Sequence, residues 1–338
     1  MNGTGWSGAL RRMVGAALFA AAGLTLATGD TLAADPSYRI KLAGIYPADS
    51  QEGLTTKLFV DLVRKKTNGK INIAIFPNAQ LGDEQALLQT ALTPGWRDMS
   101  TLSITIFTTV EPKVGATLLP FLFRDDKHVA AFMTSSAFDM QRDMLIKARG
   151  LRMLGAWDYM PSNFYTNKPV AQLSDLKGLK LRVPPSPAYV KLVQALGANP
   201  TPIPLTELYM SLQTGVVDGT NGIDDLMISM KLSEVVKNVL DTHHQINFGN
   251  PTISEQFYQS MPPAYQKALT EAAVEAGAWN HKHIRDSMAE LQTSLVKAGM
   301  KIVKLPDFPK WQEASSPLYD DFAQKNGSEL LDAIKKVQ

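Results

Sequence analysis

The stretch "LKLRVPPSPAYVKLVQALGANPTPIP", residues 179–204, has the pattern of a strand, a helix and a second strand in immediate succession. Leu179, Leu181 and Val183 alternate with basic residues, which is typical of a strand with one buried face. Pro187 suits the first position of a helix, and Gly197 ends that helix before the strand-like "TPIP". This order predicts an α/β fold with parallel neighbouring strands.

Arg182 lies on the last step of the first of these strands. If Leu179 and Leu181 face the core, Arg182 projects to the other side, at the strand end where α/β sheets present ligand crevices. The prolines at 184, 185 and 187 fix the backbone that follows. A guanidinium held in this way suits bidentate binding of a carboxylate. The alternative is an ordinary exposed strand arginine beside an acidic side chain.

The same alternation of strands and helices continues outward along the chain. "YRIKLAG", "INIAIFP" and "MSTLSITIF" predict strands, and they are separated by helices at residues 54–63 and 83–92. The first helix has an apolar stripe, and Asp83 caps the second. A helical region at residues 125–149 stops at Gly150, and the strand "LRMLGAW" follows. The stripe of the first helix consists of Leu54, Leu58, Phe59, Leu62 and Val63.

The second half of the chain has its own strands and helices, which predicts a second lobe. Periodicity fades between Trp157 and Asp175, so the chain changes domain there. Thr206 caps a further helix that ends at Gly215. A helical pattern over residues 262–299 would be well over 50 Å long at ~1.5 Å per residue, enough to lie across both lobes. Two short helices within residues 316–337 finish the chain.

Composition narrows the classes of protein. The 338 residues are 45% hydrophobic, with 34 basic and 32 acidic side chains and a net charge of +2. No block of like charge indicates nucleic acid or an anionic membrane. The chain has no cysteine, so disulfides, thiolate metal sites and cysteine nucleophiles are excluded. We expect no cofactor.

The first residues have the pattern of a secretory signal. Arg11 and Arg12 precede an uncharged, alanine-rich run, and small side chains at Thr31 and Ala33 suit signal peptidase. We expect residues 1–34 to be a signal peptide cleaved near Ala33 or Ala34. The alternative is a membrane anchor, for which the run is short.

Several segments resemble one known family. They are "TNGKINIAIFPNAQLGDEQALLQTAL", "LLPFLFRDDKH", "KPVAQLSDLKGLKLRVPPSPAYVKLVQALGANPTPIPLTELYMSLQTGVVDG" and "SEVVKNVLDTHH". In this order they are similar to the DctP-type solute-binding proteins of tripartite ATP-independent periplasmic (TRAP) transporters. The resemblance implies a two-lobed α/β periplasmic binding protein of type II-like fold, with a long helix spanning both lobes. It places lobe I at residues 35–159 plus 248–285, and lobe II at 160–247 plus 286–338.

The resemblance also implies function. It predicts a periplasmic monomer that captures an organic acid between its lobes and delivers it to an ion-driven membrane permease. By resemblance, Arg182 forms a salt bridge with the ligand carboxylate. Further residues are expected near the cleft: Tyr46, Ser103, Asn167, Leu205 and Phe248.

Two departures from the family pattern bear on the ligand. Ser162 stands where many members have a second ligand-binding arginine, and Asn221 lies in "DGTNG", where an acid is common. Each buried anionic group without a partner is costly. We therefore expect a monocarboxylate with an apolar or aromatic body, held near Trp157, Tyr159 and Phe164. The alternative for this aromatic cluster is lobe packing.

Other chemistry has weaker support. The pairs His243–His244 and His281–His283 lack metal-ligand spacing, although Asp224 or Asp225 would suit a cation beside the ligand. No phosphate loop or nucleophile elbow is present, so an enzyme is the distant alternative. A receptor that presents its ligand to a membrane sensor kinase would have the same fold and stays open.

Overall fold

The computed structural model describes residues 36–338. The predicted signal peptide lies outside the described residues. This part of the chain contains strands β1 to β12: β1 Tyr38–Ala43, β2 Ile71–Phe76, β3 Met99–Ser103, β4 Leu151–Met153, β5 Trp157–Asp158, β6 Ser162–Thr166, β7 Lys180–Val183, β8 Asn199–Pro202, β9 Gly219–Gly222, β10 Asn238–Gln245, β11 Phe248–Ser254 and β12 Lys301–Val303.

The α-helices of the same residues are numbered in chain order: α1 Gln51–Lys66, α2 Glu84–Ala91, α3 Ile104–Phe107, α4 Asp126–Met133, α5 Ser136–Arg149, α6 Pro187–Ala195, α7 Leu208–Gln213, α8 Asp224–Ser229, α9 Glu255–Gln259, α10 Pro263–Lys297, α11 Phe308–Ser315, α12 Pro317–Asn326 and α13 Glu329–Lys336. Short 3₁₀ turns occur at Pro112–Leu118, Leu173–Leu176, Leu205–Glu207 and Leu232–Glu234.

Two separate sheets form, as expected for a two-lobed α/β protein. The first has the order β2-β1-β3-β11-β4, with β5 also paired to β11, and the second has the order β12-β10-β6-β9-β7-β8. β1 is parallel to β2 and β3, and β7 is parallel to β8 and β9. The predicted parallel units at both places are therefore confirmed.

The chain passes from one sheet to the other at two short connections. Residues 159–161 separate β5 of the first sheet from β6 of the second, and residues 246–247 separate β10 from β11. The third link is α10, whose 35 residues span about 52 Å. It packs on α1 and β5, and also on α8 and β12. The predicted long helix across both lobes is confirmed.

The assignment of chain segments to lobes stays a prediction. α13, which falls in the predicted lobe II, packs on α5 and on the 3₁₀ turn Pro112–Leu118. Among residues 36–338, no helix is long and apolar enough to cross a bilayer.

Two predicted helix ends, at Asp83 and Gly150, are confirmed. Asp83 Oδ1 accepts a hydrogen bond from the Ala86 backbone N at 2.8 Å and caps α2. Gly150 ends α5 with a φ of 67°, a left-handed conformation that glycine adopts without strain. The predicted helix before it is interrupted, because Ser135 caps a new helix in its middle.

Three local predictions were wrong. "ITIF" is helical rather than extended, because Ser103 ends β3 and its side chain caps α3. Thr206 lies inside a 3₁₀ turn, and α7 begins only at Leu208. Leu54 of the predicted α1 stripe is 38% exposed, because α1 turns a partly polar face inward.

Candidate functional site

A cavity of about 90 Å³ lies between residues of the two sheets. Ser103 at the end of β3 lines it from the first sheet, whereas Ser162 and Arg182 line it from the second. The connection between β5 and β6 contributes Tyr159 to the wall. Asn247, from the connection between β10 and β11, lines it too, so the cavity touches both sheets and both places where the chain crosses between them.

Arg182 is the only basic side chain among the described residues that line this cavity. It is 4% exposed, and its Nε donates to the Ile203 carbonyl oxygen at 2.8 Å. Burial lowers the pKa of Arg182 to about 10, while nearby Tyr46, Tyr189 and Glu84 act in the opposite direction. Within residues 36–338, no carboxylate lies within the 4.0 Å salt-bridge distance of this guanidinium.

The backbone around Arg182 is held as the sequence predicts. Arg182 pairs with Thr201 of β8 on one side and with Thr220 of β9 on the other, so it lies inside the sheet. Pro184 and Pro185 follow and line the cavity. The Ser186 hydroxyl then meets the Thr108 hydroxyl at 2.9 Å, which joins the strand exit to the other half of the protein.

Most of the predicted site residues meet at this cavity. Its walls include, together with Arg182, the side chains of Tyr46, Ser103, Tyr159, Ser162, Leu205 and Asn221. These residues come from distant parts of the chain, and the two-sheet fold brings them together.

Four predicted site residues lie elsewhere. Three are core aromatic residues: Trp157, Phe164 and Phe248. The Trp157 Nε1 donates to the Ala273 carbonyl at 2.9 Å, Phe164 stacks on His244, and Phe248 packs against Phe132. Asn167 is exposed just beyond β6. Trp157 and Phe164 therefore pack in the core, which is the alternative that the sequence analysis gave for the aromatic cluster.

Sequence reasoning missed several residues of the wall, including Glu84, Thr105, Tyr189 and Asn247. Glu84 Oε1 accepts a hydrogen bond from the Ser103 backbone N at 2.7 Å. Burial is the main cause that raises the pKa of Glu84, whereas Arg182 acts to lower it. The signal for Glu84 was its place at the start of α2, which indicated only a helix terminus.

The comparisons with known proteins identify the family. A family model described as bacterial extracellular solute-binding protein, family 7, matches residues 42–326. The chain belongs to this family. The resemblance to TRAP solute-binding proteins and the two-lobed fold that it implied are thereby confirmed.

Individual relatives of this solute-binding protein are moderately similar. The sialic acid-binding periplasmic protein SiaP of Vibrio cholerae serotype O1 is 30% identical over 285 residues, which cover 84% of this chain and 88% of the relative. A TRAP solute-binding protein from Xanthobacter autotrophicus Py2 with bound β-D-galacturonate has a TM-score of 0.83 at 29% identity, covering 88% of this chain and 100% of that chain. One from Polaromonas sp. JS666 bound to D-erythronate has a TM-score of 0.84 at 28% identity, covering 89% and 99%.

The solute-binding protein also has a buried acid behind the cavity wall. Glu52, in the first turn of α1, is 6% exposed. Its Oε1 accepts from the Thr101 hydroxyl at 2.7 Å, and its Oε2 accepts from the Tyr159 hydroxyl. Burial is the main cause that raises the pKa of Glu52 to about 7.

Two of the histidines that raised the question of a metal site, His244 and His281, contact polar side chains of the protein. His244 Nε2 lies 2.7 Å from Asn221 Nδ2, and burial lowers the pKa of His244 to about 3. His281 Nδ1 lies 2.8 Å from Asp158 Oδ2. Within the described part of the chain, no group of three or more His, Cys, Asp or Glu side chains is placed to hold a metal ion.

Proposed function

We propose that this chain is the periplasmic receptor of a TRAP transporter, which captures a small carboxylate and delivers it to an ion-driven membrane permease. After removal of the signal peptide near Ala33 or Ala34, it would act as a monomer in the periplasm. Membership of family 7 supports transport as the function. Relatives named for sialic acid, galacturonate and erythronate support a carboxylate as the solute.

The observation that carries this proposal is the buried guanidinium of Arg182 at the cavity. A buried charge is normally paired, because leaving it unpaired is costly. The single hydrogen bond from Nε to Ile203 leaves the terminal nitrogens available for a fork of two hydrogen bonds. We propose that the solute carboxylate accepts both.

The charge of the cavity favours a solute with one carboxylate. Ser162, rather than a second arginine, lines the wall, and Asp83 and Glu84 bring acidic groups into it. A second carboxylate would therefore meet no cation and would lie near another acid. We propose a monocarboxylate, as the sequence led us to expect.

The part of the solute beyond its carboxylate would contact both apolar and hydroxyl-bearing residues of the cavity wall. Pro184, Leu205 and Ile223 are apolar, whereas Ser103 and Thr105 carry hydroxyl groups. The aromatic part of our expectation depended on Trp157 and Phe164, which lie in the core. Taking the wall and the relatives together, we propose a short monocarboxylate that bears hydroxyl groups.

Binding would proceed by closure of the two halves around the solute. The carboxylate docks on Arg182 of the second sheet, and groups beside the first sheet then cover it. The two short crossings and α10 are the links about which such a motion would occur. Ser186 and Thr108, which meet at 2.9 Å, would separate in the open form.

The test measures the binding of a panel of organic acids, built around three four-carbon acids that differ in their hydroxyl and carboxyl groups. Butyrate, succinate and D-erythronate share their chain length, and phenylacetate and D-galacturonate extend the panel. Mature protein is screened by thermal shift, since a ligand that binds only the folded state raises the melting temperature, and hits are measured by calorimetry. We expect D-erythronate to bind more tightly than butyrate, and succinate to bind weakest of the three.

Two results would contradict the proposal. Absence of stoichiometric heat with every acid of the panel would remove the carboxylate receptor function. Turnover of an acid, observed as a chemical change in the recovered compound, would instead favour the enzyme alternative.

A further inference from the structure

The region around the cavity holds more acidic than basic groups. Asp83 and Glu84 line the cavity, and Glu52 and Asp225 line a small neighbouring one that shares Tyr46 and Tyr159 with it. Arg182 is the one basic residue that lines either cavity within residues 36–338. None of these four acids forms a salt bridge with a described basic residue. An arriving anion would therefore meet four carboxyl groups and a single cation.

Glu52 is the acid best placed to lose its charge. Its hydrogen-bond donors, Thr101 and Tyr159, are both neutral hydroxyls. The other charged or titratable groups that act on it are Glu84 and Asp225. Burial and both acids oppose its ionisation, whereas the two hydroxyls favour it, and the result is a pKa of about 7.

Tyr159 connects Glu52 to the solute cavity. Its ring lies in the wall, packed edge-on against Tyr46 with ring centroids 5.6 Å apart. While Glu52 is a carboxylate it can only accept, so the Tyr159 O–H must point to it. Once Glu52 is protonated, its own O–H can donate to the Tyr159 oxygen. The Tyr159 hydroxyl proton is then free to turn toward a neighbouring anion.

We propose that the protein takes up one proton from solvent when it binds its acidic solute, and that Glu52 holds this proton. The step converts the Glu52 carboxylate to a carboxylic acid, and the added positive charge offsets the charge of the solute. Tyr159 changes from donor toward Glu52 to acceptor from it, and it donates instead into the cavity. This inference rests on the proposed function, because it needs an anion in the cavity.

The proposal fixes the pH dependence of binding. Free Glu52 is mostly ionised at pH 8 and mostly protonated at pH 6, because its pKa is about 7. An anion nearby raises that pKa further. Uptake should therefore be roughly 0.9 proton at pH 8 and roughly 0.1 at pH 6. Above pH 7 the Kd should rise by up to about tenfold per pH unit.

The experiment counts the protons that the protein takes up when it binds the solute. The tightest-binding acid among butyrate, succinate, D-erythronate, phenylacetate and D-galacturonate is titrated at pH 6 and pH 8 in buffers of different ionisation enthalpy. The slope of heat against buffer enthalpy gives the number of protons taken up. Glu52→Gln should abolish the uptake at pH 8 and make the Kd independent of pH. Glu290→Gln, which changes an exposed glutamate of α10, should behave like the unmodified chain.

The outcomes separate the two proposals. Binding with no uptake at pH 8 overturns this inference and leaves the receptor function standing, whereas no binding of any acid removes the receptor function itself. Uptake that persists in a folded Glu52→Gln variant overturns the assignment to Glu52. If that variant does not fold, the pH dependence of the Kd of the unmodified chain decides, because a flat profile from pH 6 to pH 8 excludes a linked proton.

Discussion

The backbone N of Gln51 donates a hydrogen bond to Asp225 Oδ2 at 3.3 Å. Gln51 begins α1, which packs on β2 of the first sheet, whereas Asp225 belongs to α8, beyond β9 of the second. An acid at the first residues of a helix is stabilised by the exposed backbone N–H groups there. This contact therefore joins the two halves beside the small cavity that contains Glu52.

We expect Asp225→Ala to weaken solute binding by about three- to tenfold, because one hydrogen bond to a charged group contributes about 1 kcal/mol or more to the closed form. Calorimetry with the tightest acid of the panel measures the change. Asp320→Ala, at an exposed position of α12, serves as the control and should bind normally. Equal affinities of the two variants would show that the contact does not support closure.

Arg182→Ala should weaken binding by at least about thirtyfold, equivalent to about 2 kcal/mol. The melting temperature of the empty protein should change little, because the free guanidinium is buried without a carboxylate partner. Arg182→Lys keeps the charge but not the fork, so it should recover only part of the affinity. Lys180→Ala removes the exposed basic residue of the same strand and should bind as the unmodified chain does. Unchanged affinity of Arg182→Ala would contradict the carboxylate site.

The sequence predicted Arg182 correctly as a buried cavity residue because two local signals coincided. Strand alternation set the direction of its side chain, and the prolines marked a fixed exit. Both signals arise from backbone geometry within a few residues. The same reasoning placed β1 and β2, where Ile71 and Ile73 are buried on one face.

The inward polar face of α1 could not be predicted in this way. Leu54 appeared to belong to the apolar stripe, yet Glu52 and Thr55 are buried and Leu54 is exposed. Thr55 Oγ1 lies 2.8 Å from Asn280 Oδ1, more than two hundred residues away. Such partners are supplied only by the tertiary fold, and no periodicity signals them. Glu84 was missed as a neighbour of the site for the same reason.

Glu52→Gln should stabilise the empty protein at high pH. Burial raises the folded-state pKa of Glu52 from 4.5 to about 7. Its contribution to stability is therefore full below pH 4.5 and declines as the pH rises to about 7, by about 3 kcal/mol. At pH 8 the variant should melt several degrees above the unmodified chain, and at pH 4.5 it should show no such gain. A difference in melting temperature that is the same at both pH values would mean that ionisation of Glu52 is not involved.

Asp158 should be important for stability at the crossing between the sheets. It is 0% exposed, and its carboxylate meets Asn280 Nδ2 at 3.1 Å, His281 Nδ1 at 2.8 Å and an Arg285 terminal nitrogen at 3.3 Å. Asp158→Ala removes the carboxylate that His281 and Arg285 contact, whereas Asn280 Nδ2 keeps its hydrogen bond to the backbone carbonyl of residue 158 at 2.7 Å. We expect a loss of about 3–5 kcal/mol in the free energy of unfolding, as is usual when one partner of a buried ion pair is removed. Urea unfolding of the mature protein measures it.

Asp126 provides a matched control for Asp158, because it contacts the same arginine, Arg285. Asp126 Oδ1 lies 2.9 Å from Arg285 Nε, but the Asp126 side chain is 62% exposed. Asp126→Ala should therefore cost less than about 1 kcal/mol, since exposed ion pairs contribute little. If the two alanine variants lost equal stability, burial would not be what makes the Asp158 contact important. A large loss for Asp158→Ala alone would instead show that the crossing into β6, and with it Tyr159 in the cavity wall, depends on a paired buried charge.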